Sequence, residues 1–109
     1  MGYDKGLAQR VREEMEGLTG YEEKQMFGGI GFLLNGNMAC GVHSGDLIVR
    51  VGQEQYESAL AKPHTKKFDL TGRPMTGWIV VNAKGYTRDQ DLKYWVQRGV
   101  EHALSLPGK

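Results

Sequence analysis

Cysteine is almost absent from this 109-residue chain: Cys40 stands alone, so no disulfide can close within it and nothing points to an oxidising compartment. Stability must come from packing. Long apolar runs are missing too. None approaches the ~20 residues that cross a bilayer, and Met1-Gly2-Tyr3-Asp4-Lys5 lacks the basic-then-apolar order of a secretory signal. A cytoplasmic protein is expected. Charge of one sign is not in excess either, with 14 Lys+Arg against 13 Asp+Glu and a formal net charge of +1. Such a chain has no global field to attract phosphate backbones, so any nucleic-acid contact must be local. Repeats, low-complexity tracts and linkers are lacking as well, which with this length indicates one domain spanning residues 1–109.

What the chain does have is glycine: 16 residues, about twice the usual share. Many fall where elements end. From about Asp4 to Leu18, the residues Leu7, Ala8, Val11, Met15 and Leu18 recur at helical spacing, and Gly17 and Gly20 follow. From Lys24 to Val51 the period becomes two. Asn35-Gly36 suits a type I′ hairpin turn, which sets Leu33 opposite Met38, Phe32 opposite Ala39, Gly31 opposite Cys40 and Ile30 opposite Gly41. The loop His43-Ser44-Gly45-Asp46 then sets Val42 opposite Leu47 and Cys40 opposite Val49. This register sorts the side chains into two faces. Leu33, Met38, Cys40, Val42, Leu47, Val49 and Val51 are expected under helices. Ile30, Phe32, Leu34, Asn37, Ala39, Gly41, Ile48 and Arg50 fall on the other face.

Gln53 to Ala61 reads as a short helix ended by Lys62-Pro63. Lys66–Leu70 and Trp78–Asn82 read as two more strands. Thr87 and Gln90 form a capping-box pattern ahead of a last helix whose stripe is Leu92, Trp95, Val96, Gly99, Val100, Ala103 and Leu104. The fold class is α+β: two layers, with an antiparallel sheet of about five strands and helices packed on one face. Gly99, inside that helix, is expected to permit close backbone approach.

No constellation for chemistry emerges. Gly28-Gly29-Ile30-Gly31 lacks both the third fingerprint glycine and a following helix, so phosphate binding there is not expected. Cys40 and His43 alternate to opposite faces, and His64 and His102 lie in other elements, so no metal site is expected. Neither a paired acid and base nor a nucleophile elbow is present. A non-enzymatic protein without cofactors is the expectation.

The segment Lys24-Gln25-Met26-Phe27-Gly28-Gly29-Ile30-Gly31-Phe32, the Asn35-Gly36 turn and Asp46-Leu47-Ile48-Val49-Arg50-Val51 together resemble the N-terminal domain of the TfoX/Sxy family. Gly72-Arg73-Pro74-Met75-Thr76-Gly77-Trp78 and the Asp91, Leu92, Trp95, Val96 helix match as well. The resemblance covers essentially the whole chain. It implies a secretion-chaperone-like fold, with the helices on one side of the sheet. Family members include competence regulators that carry a further, helix-hairpin-helix-related domain, whereas this chain is expected to be a stand-alone N-terminal domain.

Two binding surfaces are therefore expected. The leading one is a protein-contact or homodimer face built from Ile30, Phe32, Ile48 and Arg50, of the kind that an uncovered apolar patch marks. It would serve a regulatory module, with transcription or competence as the process the resemblance suggests. The alternative is an anion patch for nucleic acid or a small anion, made by Lys62, Lys66, Lys67 and Arg73.

Overall fold

Asp4 starts the first helix: its carboxylate accepts the Leu7 amide at 3.0 Å, meeting one of the donors that a helix N-terminus leaves unpaired. The resulting helix α1, Lys5–Met15, buries Leu7, Ala8, Val11 and Met15, as the spacing requires. The structure is a computed structural model, and it describes residues 3–26, 28–69, 72 and 75–108. Six strands form one antiparallel sheet in the order β1-β2-β3-β4-β6-β5. They are β1 Tyr21–Met26, β2 Gly29–Leu34, β3 Asn37–His43, β4 Asp46–Arg50, β5 Thr65–Lys67 and β6 Trp78–Val81. The strand beyond the expected five is β1, whose Glu22-Glu23-Lys24 run carries no apolar alternation to betray it. The remaining helices are α2 Tyr56–Leu60, α3 Ala83–Tyr86 and α4 Asp89–Ser105.

The Asn35-Gly36 turn forms, with both residues at positive φ, and Leu33 pairs with Met38 as expected. Beyond that pair the register slips. Phe32 lies opposite Cys40, Gly31 opposite Gly41 and Ile30 opposite Val42, so Ala39 is an extra residue bulged out of β3. Because strand side chains alternate, one inserted residue exchanges the faces of everything on one side of it. The expected division is corrected accordingly. Ile30, Phe32, Leu34 and Ala39 join Cys40, Val42, Leu47, Val49 and Val51 in the core beneath the helices. Leu33 and Met38 pair on the opposite side. The second hairpin matches its expected register, with Val42 on Leu47 and Cys40 on Val49.

The bulge has a partner in α4. A Cβ on Gly99 would stand 2.3 Å from the Ala39 carbonyl oxygen, so only glycine lets the helix backbone settle directly on the displaced strand. Around this contact, Leu92, Trp95, Val96, Val100 and Ala103 complete the core. The opposite face of the sheet carries a smaller cluster of Ile48, Phe68 and Val80, with Trp78 packed against it.

The capping box is not made. Thr87 lies at the end of α3, where its hydroxyl donates to the Ala83 carbonyl, and α4 starts from Arg88 without a side-chain cap. Arg10 accounts for this corner: its guanidinium donates to the Tyr86 and Thr87 carbonyls at 2.9 and 3.1 Å and to Asp89 at 3.2 Å. α1 thereby clamps the α3–α4 turn.

Cys40 is fully buried, with its thiol 3.5 Å from the Met15 sulfur. Burial pushes the thiol from 9.0 up to about 12. The folded chain therefore keeps a proton that the unfolded chain loses, so stability falls as pH rises from about 9 to about 12, with a limiting slope of about 1.4 kcal/mol per pH unit. The raised Tyr21 and Tyr86 hydroxyls act in the same direction. A Cys40→Ala variant should lose the thiol's share of that slope in denaturation curves taken across this window. At neutral pH, a thiol reagent should modify Cys40 only as fast as the chain opens; modification on mixing would contradict the burial.

Candidate functional site

Four cationic or imidazole side chains are gathered where α2 and β5 meet α3 and α4. Lys62 leaves the C-terminal end of α2, held by the Thr65 hydroxyl, which donates to the Lys62 carbonyl at 2.8 Å. His64 turns the chain into β5 at φ 67°, and its carbonyl accepts the Asn82 amide at 2.9 Å. Lys84 follows on α3, whose first turn is capped by Asn82 at 3.0 Å. Arg88 precedes α4. Gly85 allows these pieces to approach: a Cβ there would lie 2.5 Å from Val81 Cγ1 and 3.1 Å from His64 Cβ.

Together they line a groove of about 610 Å³, within the size range of binding clefts. Its floor is aromatic. Tyr94 and Trp95 meet edge-on with centroids 5.0 Å apart, and Tyr94 stays 37% exposed while Trp95 is buried. Lys62 Nζ stands 5.0 Å over the Tyr94 ring, and Arg98 lies 5.5 Å from the same centroid while donating to the Tyr94 hydroxyl. Among the described residues, the only carboxylate lining the groove is Asp91, 3.5 Å from Arg88 Nε. Lys62, Lys84 and Arg88 therefore outnumber it, and all three are exposed. Such a groove can hold carboxylate or phosphoryl oxygens above a flat apolar surface.

The expected anion patch is divided by the fold. Lys62 lines this groove, whereas Lys66 and Lys67 lie on β5 beside a separate depression of about 190 Å³ that also holds Asp46 and Asp69. Arg73 lies outside the described residues. The expected protein-contact face is divided as well. Ile30 and Phe32 are core residues under the helices, Ile48 packs with Phe68 and Val80 on the other face, and Arg50 stands 5.2 Å over the Trp78 ring. Sequence spacing missed Lys84, Arg88 and Tyr94, which lie more than twenty residues beyond Lys62. The available signal was Tyr94, an aromatic on the polar side of an otherwise regular stripe.

A second cavity of about 630 Å³ lies at the other end of α4, between Gly52–Gln55 and Arg98, Glu101, His102 and Ser105. Here Gly52 adopts φ 87° so that the His102 ring lies against its backbone, where a Cβ would come within 2.6 Å. Burial and the nearby Arg50 hold that imidazole below its ordinary pKa. Glu54 and Glu101 outnumber Arg98, and among the described residues no Phe, Tyr or Trp lines the cavity, so it has neither the charge nor the floor of the first. Among the described residues, no group of three or more His, Cys, Asp or Glu could hold a metal ion. No helix among them is long and apolar enough to cross a membrane.

The family model for the TfoX N-terminal domain matches residues 13–103, most of the chain. This protein belongs to the TfoX N-terminal domain family. No curated protein and no solved structure gives a significant match. The matched span of this TfoX N-terminal domain begins inside α1 and ends inside α4, so it contains both the bulge contact and the groove residues.

Proposed function

We propose that this TfoX N-terminal domain is a non-enzymatic regulatory module that grips an acidic segment of a partner protein in the groove between α2–β5 and α3–α4. The observation that carries this reading is that Lys62, His64, Lys84 and Arg88 line one groove with the exposed Tyr94, over whose ring Lys62 stands, while Asp91 is the one opposing charge among its described residues. An open groove with an aromatic floor suits a peptide that alternates carboxylates with an apolar side chain, because each part of it finds a matching surface. The net charge of +1 supports a local contact over polyanion binding.

Fluorescence anisotropy with a labelled peptide of alternating Glu and Leu provides the test. Lys84→Glu combined with Arg88→Glu should weaken binding at least about tenfold, since two charge-assisted contacts become repulsions. Both positions are exposed, so the fold should be kept. A labelled single-stranded oligonucleotide of equal charge is the control. Tighter binding of the oligonucleotide, with a steep salt dependence, would replace the protein partner by nucleic acid.

A further inference from the structure

We propose that β1 is a dimerisation edge, on which a second copy of the chain lays its own β1 antiparallel about a twofold axis at Glu23. β1 is a border strand that pairs with β2 over six consecutive residues without irregularity, so Glu23 and Gln25 turn their backbone donors and acceptors outward, while the Tyr21 amide is taken by the Leu18 carbonyl at 3.3 Å. The other border, β5, is only three residues long, which is how folds blunt an edge. The two borders are thus not equivalent.

The side chains select the register. In a continuous sheet, opposing residues share a face. With the axis at Glu23, Glu22 faces the partner's Lys24 and Lys24 faces the partner's Glu22, both on the face away from the helices. Glu22 and Lys24 are exposed and free to meet. Tyr21 faces the partner's Gln25. The like pair at the axis, Glu23 with the partner's Glu23, is already neutralised: Arg12 binds Glu23 through Nε at 2.6 Å and Nη2 at 3.0 Å, and the Tyr21 hydroxyl donates to the same carboxylate. Moving the axis to Glu22 or to Lys24 would oppose two like charges that no such neighbour neutralises. A slip by one residue would oppose side chains from different faces. Axes at Tyr21 or Gln25 would keep the faces matched but pair no opposite charges, so the axis at Glu23 is the register that charge favours, and its occupant is the chain itself.

This inference does not depend on the groove, and its test uses charge reversal at the edge. In sedimentation equilibrium at low salt, the wild-type chain should form a dimer that weakens as salt is raised. Glu22→Lys alone sets the introduced lysine against the partner's Lys24, and the twofold axis repeats that repulsion. Lys24→Glu alone likewise sets the introduced glutamate against the partner's Glu22 at both places. Each variant should therefore weaken self-association by about tenfold or more. An equimolar mixture of the two variants forms mixed dimers in which both crossings pair opposite charges, and it should associate more tightly than either variant alone. A wild type that stays monomeric at every concentration would overturn the proposal. So would a dimer indifferent to either reversal, or two variants that fail to associate when mixed.

Discussion

Gly99→Ala is expected to lose about 2 kcal/mol or more of stability, although the substitution improves helix propensity. Alanine in a helix interior gains about 1 kcal/mol over glycine. Against that, the new methyl would stand 2.3 Å from the Ala39 carbonyl oxygen and 3.0 Å from its carbon. Both are backbone atoms, so no rotamer change relieves the overlap, and α4 must lift from β3. Lifting it loosens Trp95, Val96, Val100 and Ala103 together, and overpacking of this kind typically costs about 1–3 kcal/mol before such secondary losses. For a domain of about this size the midpoint of thermal unfolding should fall by roughly 10 °C. Gly99→Val should be worse. Denaturant unfolding measures both, and a Gly99→Ala variant as stable as the wild type would show that α4 does not rest on the bulge.

Phe32→Ala should cost about 3–5 kcal/mol, the range for emptying a phenylalanine site in a core. Phe32 is 0% exposed and its ring stacks on Tyr21 with centroids 6.5 Å apart. Domains of this kind are commonly stable by about 5–15 kcal/mol, so the variant would keep only a fraction of its margin. The measurement also decides between the two registers. A change of no more than about 0.5 kcal/mol, the range of surface substitutions, would show instead that Phe32 is not held in the core. A loss that small would return Phe32 to the list of partner-contact residues.

Local rules made much of this fold legible. Asp4 and the Leu7–Met15 stripe define α1, although Leu18 lies beyond its end and is exposed; the Asn35-Gly36 turn defines the first hairpin as far as Leu33 and Met38, and the α4 stripe names the residues that pack on the sheet apart from Leu104, which is exposed. The register beyond Met38 was not legible, because the bulge at Ala39 is stabilised by Gly99, sixty residues later, and no pattern near residue 39 announces it. Thr87 and Gln90 satisfy a capping rule that Arg10 overrides by taking the carbonyls of the corner. The candidate site was readable only in its first member. Lys62 belongs to a basic run, but β5 carries Lys66 and Lys67 away to a different depression. Lys84, Arg88 and Tyr94 reach the groove only because β5 pairs with β6, which brings the start of α3 beside the end of α2.

The bulge also acts as a parity switch for the outer sheet. β2 takes its orientation from β3, and β1 takes its orientation from β2, so a single unpaired residue decides which way two whole strands look. Through that chain Ala39 keeps Ile30, Phe32 and Leu34 inside, and it also determines that Glu22 and Lys24 point away from the helices. Deleting Ala39 would differ in kind from substituting it. Substitution leaves the bulge in place, whereas deletion would close the ladder into unbroken alternation, with Phe32 still opposite Cys40 and Leu33 still opposite Met38, and would withdraw the carbonyl on which α4 rests at Gly99.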